Sequence, residues 1–346
     1  MSLTLPFARW PETDQQMWAA LVQQGGPFDE RGALADLRET SLDTLGNRYG
    51  RWLQWLRDCA PEALAEPPAQ RASLIRLRGW LAALEHTAPM SQLMFVDGLL
   101  RVLTAAAPDA DWSAHRRVKA SLKRAAGSGD PTRKQGRILC TRVLLEAGLR
   151  HARLEADAAT TPLMRARRQR NGAMVALLAM MPIRRRALAG LRIGRSFLVG
   201  AETLTIALPG DLTKTGLPWE ADVPEPVAGL LRQYMTETRP FLLDRGGQRH
   251  DILWVGDDGR PFDENHLGMK IAGITKELTG KRIPPHMFRD AAATTLARTS
   301  PEAARFVRPV LAHAGFGTAE RHYVHARTIE AGRDYAAVIK TLRAKR

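Results

Sequence analysis

The chain has 346 residues, 45% hydrophobic and 25% charged, which excludes a disordered or fibrous protein. Lys and Arg number 51 against 36 Asp and Glu, a net charge of +15 with a pI near 10.6, so the expected partner is a polyanion, nucleic acid before a membrane surface. The two cysteines, Cys59 and Cys140, form no CxxC motif, which excludes a disulfide scaffold or zinc ribbon and points to a reducing compartment.

The first forty residues are irregular in character, with Pro6, Pro11, Gly25, Gly26 and Pro27 as breakers. Helical periodicity begins near Ser41, where Leu42, Leu45, Tyr49, Trp52 and Leu56 line one face. Leu74, Leu77, Leu81 and Leu84 repeat the pattern, followed by Leu93, Val96, Leu100 and Leu103. A basic helix carries His115, Arg116, Arg117, Lys119, Lys123 and Arg124 around Val118 and Leu122. Residues 38–126 thus read as a bundle of four or five helices, with Trp52, Trp55 and Trp80 in its core. Arg116, Arg117, Lys119, Lys123 and Arg124 are its candidate DNA contacts. The segment 127–165 reads as a linker with a connecting helix over 132–155, set between breaks at 125–131 and 157–162.

From 163 a helix runs to Met181 and stops at Pro182; another runs from there to near Gly194. The apolar run Ala173–Met181 is too short to span a bilayer, and the N-terminus lacks the pattern of a signal peptide. Residues 198–208 read as a strand and 217–223 as its hairpin partner. Helices are expected over 227–237, 264–278, 288–297, 301–313, 318–325 and 329–342. The fold expected is mainly α, with a small antiparallel β-sheet in the C-terminal domain. It divides into an N-terminal extension (1–37), a helical bundle (38–126), a linker (127–165) and a catalytic domain (166–346).

No P-loop, no dinucleotide-binding GxGxxG and no GxSxG elbow is present. The acids Asp257, Asp258, Asp263 and Glu264 flank Gly259-Arg260-Pro261 and read as a polar turn rather than a two-metal nuclease site. The C-terminal third is more informative. His286 and Arg289 stand three apart at a helix start, and so share a face near the positive end of its dipole. His313 follows, and Tyr323 ten residues later. Upstream, Arg184 lies just past a helix break, and Lys214 sits at a hairpin tip.

The order Arg, Lys, His-x-x-Arg, His, Tyr resembles the tyrosine recombinases, or phage integrase family. The resemblance covers about 166–330, and the N-terminal bundle is similar to that family's core-binding domain. Position by position, it implies that Arg184, Lys214, His286, Arg289, His313 and Tyr323 are catalytic. Three positions depart from the family pattern: Ala187 for an acid, Asp290 for a histidine and Ala312 for a glycine. Of the adjacent Arg184, Arg185 and Arg186, Arg184 is preferred because Leu188 and Leu191 then take the buried helix positions.

The chemistry makes these residue types intelligible. A covalent 3′-phosphotyrosine keeps the energy of the cut phosphodiester. Two guanidinium groups can grip the nonbridging oxygens of the transition state in a forked geometry that lysine lacks. The histidines can donate or shuttle protons near neutral pH, and Lys214 can protonate the leaving 5′-oxygen. The set needs no cofactor and no metal, since fixed cations supply the charge stabilisation.

The resemblance implies a site-specific recombinase or integrase of a mobile genetic element, cytoplasmic and nucleoid-associated. Its partners would be double-stranded DNA recombination sites, further copies of itself in a tetramer on two sites, and accessory DNA-bending or co-recombinase proteins. Residues 329–342, with Ala336, Val338, Ile339 and Leu342, are a candidate for docking onto a neighbouring subunit. The alternatives are a topoisomerase-like nicking-closing enzyme, a catalytically weakened architectural DNA-binding protein, and a metal-dependent nuclease. Tyr335 is the rival nucleophile.

Overall fold

The computed structural model describes residues 3–127, 136, 138–213 and 216–299. The chain divides into two compact units, Met1–Pro131 and Thr132–Arg346. The fold is mainly α-helical with one small antiparallel sheet.

Unit 1 holds α1 (Glu12–Val22), α2 (Glu39–Cys59), the short α3 (Pro68–Arg71), α4 (Leu74–Ala83), α5 (Pro89–Ala106) and α6 (Ser113–Ala126). Its core is built from the faces that the periodicity selects: Leu45, Tyr49, Trp52 and Leu56 of α2, Leu77 and Trp80 of α4, and Val96, Leu99 and Leu103 of α5. Trp52 stacks on Trp55 at 5.3 Å between centroids and meets the edge of Trp80 at 5.2 Å. Burying these rings together with the aliphatic side chains of the core is the main favourable term for the unit.

The helix α1 departs from the sequence reading, which left the first forty residues irregular. Tertiary contacts hold it. The Tyr49 hydroxyl donates to Asp14 Oδ1 at 2.5 Å, and Arg71 Nη1 donates to Asp14 Oδ2 at 2.5 Å. Arg71 and Asp14 are fully buried, and Arg71 also donates to the carbonyls of Glu66 and Leu64. A buried carboxylate is tolerated only when its lone pairs are satisfied, and here α1, α2 and α3 each take part in doing so. Burial pushes the Tyr49 hydroxyl well above its ordinary pKa, with Asp14 adding to the shift, so it remains a donor.

Unit 2 opens with α7 (Thr141–Arg150), which runs into a π-helical turn at His151–Glu155. The expected helix over 132–155 is therefore shorter among the described residues, since 138–140 are not helical. Next come α8 (Pro162–Met180) and the short α9 (Arg185–Ala189). Thr161 caps α8, accepting from the Met164 amide at 3.1 Å. The apolar run that looked like a buried helix is one, with Ala173 to Ala179 all buried.

The sheet order is β1-β2-β3, made of Phe197–Val199, Leu204–Leu208 and Trp219–Asp222, all antiparallel. The single strand expected over 198–208 is in fact the hairpin β1–β2. Its turn is closed by Gly200 N–H donating to Thr203 O at 2.9 Å. The residues Leu204, Ile206 and Leu208 alternate into the core, which is the period-two signal that survived in the sequence.

After the sheet come α10 (Val227–Gln233), a π turn at Tyr234–Thr238, and α11 (Arg239–Gly246). The three are continuous, so the helix expected to stop at 237 passes through Pro240; the missing amide of Pro240 falls in the first turn of α11. Last among the described elements are α12 (Glu264–Thr279) and α13 (Pro285–Thr299). The helices expected beyond 300 lie outside the described residues. Among the described residues no helix is long and apolar enough to cross a membrane.

Candidate active site

Pro182 ends α8, and the chain turns through Ile183 into α9. Arg184 is the residue before the first turn of α9, in an extended conformation (φ −71°, ψ 152°), so its side chain leaves from a helix start rather than from a helix face. Arg289 sits in the second turn of α13, flanked by the buried Met287 and Phe288. Its Nη1 donates to the Pro182 carbonyl at 2.6 Å, which ties α13 to the break that presents Arg184.

The two guanidinium charges are close enough to act on each other. Burial, reinforced by the Arg184 charge and opposed by Asp290, depresses the pKa of Arg289 to about 10. Burial also lowers the pKa of Arg184. Both remain cations at neutral pH. Two like charges held together and partly desolvated form a ready receptor for a doubly charged oxyanion.

Among the three consecutive arginines, Arg184 is the one whose charge acts on Arg289. Arg185 instead donates Nε and Nη2 to Glu264 Oε1 at 3.0 and 2.9 Å, and its Cδ lies where a Cβ on Gly268 would come within 2.7 Å. Arg186 is exposed. Ala187 and Leu188 are buried in the unit's core.

His286 occupies the first turn of α13 and is exposed, one helical turn before Arg289. Lys214 lies outside the described residues, but the stem of its loop is described. Gly210 packs directly against the Gly216 backbone, and Thr213 Oγ1 donates to Leu217 O at 2.8 Å. Gly216 adopts φ +78°, a conformation natural to glycine. His313, Tyr323 and the rival Tyr335 lie outside the described residues.

The five basic residues of the other constellation all lie on α6 of unit 1. Arg116, Arg117, Lys123 and Arg124 are exposed, whereas Lys119 pairs with Asp97 of α5 at 2.5 Å. His115 Nε2 lies 2.5 Å from the Ala72 carbonyl and fixes the helix against the bundle.

The acids read as a turn have defined roles. Asp263 caps α12, accepting from the Asn265 and His266 amides at 2.9 Å each; Glu264 holds Arg185; Asp257 holds Arg167 and Arg170. Two features were not legible in the sequence, namely the Asp290 carboxylate acting on Arg289 and the cationic cluster around Asp257. The only sequence signal for either was an acid next to the second arginine.

The Phage integrase family model matches residues 152–329, more than half of the chain and a span that includes every one of the six catalytic candidates. The chain belongs to the phage integrase family. Solved structures similar to it include a XerH site-specific recombinase bound to palindromic difH substrate, with 14% identity and a TM-score of 0.48 over 96% of this chain and 99% of that one. A pre-cleavage complex of XerH with difH gives 15% identity and a TM-score of 0.44 over 95% and 99%. The XerA recombinase gives 15% and 0.39 over 84% and 89%. No curated protein matches the sequence.

Proposed function

We propose that this phage integrase family member is a site-specific recombinase that cuts and rejoins duplex DNA through a 3′-phosphotyrosine at Tyr323. The observation that carries the reading is the pair Arg184 and Arg289, two partly desolvated cations whose charges act on each other, one at the start of α9 and one on α13. In this mechanism the pair grips the nonbridging oxygens of the scissile phosphate, where charge develops as Tyr323 attacks. His286 and His313 manage protons at those oxygens, and Lys214 gives a proton to the departing 5′-oxygen. The covalent bond to Tyr323 then conserves the energy needed for a second strand to reverse the step. No metal enters this scheme.

Residues 38–126 would serve as a DNA-binding bundle, with Arg116, Arg117, Lys123 and Arg124 of α6 on backbone phosphates, and residues 166–346 as the catalytic domain. The reading extends to a tetramer on two recombination sites, to a mobile genetic element as the source of those sites, and to action at the nucleoid in the cytoplasm with accessory DNA-bending proteins.

The test is covalent trapping. A nicked duplex that lets the cut end diffuse away should yield a denaturation-resistant protein–DNA adduct with the parent chain, in the presence of EDTA. Tyr323→Phe keeps the ring and removes the nucleophile, so it should bind DNA equally and give no adduct. An adduct from the Phe variant would move the nucleophile to Tyr335, and loss of cleavage in EDTA would favour the metal-dependent nuclease.

A further inference from the structure

Arg184 stands between two tethers. On its N-terminal side the Pro182 carbonyl accepts from Arg289 Nη1 of α13 at 2.6 Å. On its C-terminal side Arg185 Nε and Nη2 donate to Glu264 Oε1 of α12 at 3.0 and 2.9 Å. Arg184 itself is extended, and α9 begins only at Arg185. With five residues, Arg185–Ala189, α9 is too short to hold its direction alone, and it contains no acid. The carboxylate that fixes its first residue comes from another helix.

The α12 end of this contact is anchored in turn. Glu264 is the first residue of α12, and Asp263 before it caps the helix by accepting from the Asn265 and His266 amides. One turn further on, at the buried Gly268, the helix surface leaves room for the Arg185 stem. The three atoms nearest to a Cβ at Gly268 all belong to Arg185: Cδ at 2.7 Å, and Cγ and Nη1 at 3.6 Å. The ion pair contributes little to stability, since the two side chains are 45% and 40% exposed. What it restricts is the path of the chain between Pro182 and α9, on which Arg184 lies.

We propose that Glu264 is a positioning residue for DNA cleavage: through Arg185, in the space left by Gly268, it fixes the start of α9 and so holds Arg184 at the scissile phosphate. The inference rests on the reading of the chain as a recombinase. Glu264 touches no reacting atom. Both guanidinium nitrogens bond one carboxylate oxygen, so a single ammonium at 185 keeps the tether, whereas a methyl group there releases it.

The experiment uses the full chain and measures the single-turnover rate of covalent adduct formation at saturating duplex, together with duplex affinity and melting temperature. Glu264→Gln keeps the shape and removes the charge. It should slow cleavage by about 10- to 100-fold, the loss expected when a catalytic group is displaced by about 1 Å. Duplex affinity should not fall, because a negative charge has been removed, and the melting temperature should hold. Gly268→Ala displaces the same arginine without changing any charge. It should slow cleavage likewise while the melting temperature holds, since alanine favours the helix. Arg185→Ala should lose as much as either variant, and Arg185→Lys should recover most of that loss. In the Arg185→Ala background neither Glu264→Gln nor Gly268→Ala should slow cleavage further, because a residue that acts through Arg185 has nothing left to act on.

A parental rate in either single variant, or losses that multiply in the double variants, overturns the positioning role and leaves the recombinase reading intact. A loss confined to the melting temperature also overturns it, and makes Glu264 a helix-start charge serving α12 alone. A parent chain that forms no adduct overturns the recombinase reading and the positioning role together.

Discussion

At the scale of single residues, the deciding contrast is between neighbours. Arg184 and Arg185 differ in their partners: the charge of one acts on Arg289, while the other is neutralised by Glu264. Arg184→Lys should therefore lower the rate of covalent cleavage by about 10²–10³ although charge is kept, because the forked donor geometry is lost. Arg185→Lys should change it little, and a severe effect at 185 with a mild one at 184 would reverse the assignment. Arg289 gives a second signature. Its pKa is lowered in the folded state, so at neutral pH, below about 10, the protein carries the full cost of its buried charge, and that cost lifts only as pH rises past this value. The cost is of the same order, about 2–3 kcal/mol, as a charged hydrogen bond such as the one to Pro182 O. Arg289→Met removes both, so calorimetry at neutral pH should find a melting temperature within a few degrees of the parent while cleavage is abolished. A large drop in melting temperature would make Arg289 chiefly a structural residue.

At the scale of elements, α8 positions the site because it can lie close to α7. A Cβ on Gly148 would meet the Ala176 amide nitrogen at 2.7 Å, and one on Gly172 would come within 2.5 Å of both Ala152 N and Gly148 O. Two glycines facing each other let the backbones approach where side chains would hold them apart. The crossing fixes where α8 ends, and the end of α8 fixes Arg184. Gly172→Ala should destabilise the protein by about 1–3 kcal/mol through overpacking against backbone. Gly273 on the exposed face of α12 has nothing within 4 Å of its would-be Cβ. Gly273→Ala should stabilise by about 0.5–1 kcal/mol, since it improves helix propensity without a clash. Denaturant melts of the two variants check both signs.

At the scale of the whole molecule, the charge is unevenly shared. Residues 1–131 hold 15 Lys and Arg against 15 Asp and Glu, so the entire surplus of +15 lies in residues 132–346, with 36 against 21. Within the neutral unit, α6 alone carries five cations and no acid, so the remainder of unit 1 has ten cations against fifteen acids. The helix is a basic stripe on an otherwise acidic body, which orients a polyanion as well as attracting it. Reversing Arg116, Arg117, Lys123 and Arg124 to Glu should flatten the salt slope for duplex binding by up to about 3.6, if each contacts one phosphate, and leave a residual slope from unit 2. Loss of all salt dependence would assign DNA affinity to unit 1 alone, and an unchanged slope would turn α6 towards solvent.

The sequence by itself determined the helical class, the faces of α2, α4 and α5, the buried run of α8, and the order of arginine, lysine, histidine and tyrosine that the family shares. These are local properties: periodicity records which side of an element meets a core, and a motif records its own spacing. What tertiary structure decided was pairing between distant segments. It paired Arg185, and not Arg184, with Glu264, because Glu264 and Gly268 come from α12, some eighty residues later. It made a helix of residues 12–22 through the buried Asp14, whose partners Tyr49 and Arg71 lie on other helices. It split one expected strand into β1 and β2, which pair across the turn at Gly200. It gave both oxygens of Asp257 to arginines from α8. Each of these outcomes depends on which charges and backbones the fold brings within contact, and a linear pattern carries no record of that distance.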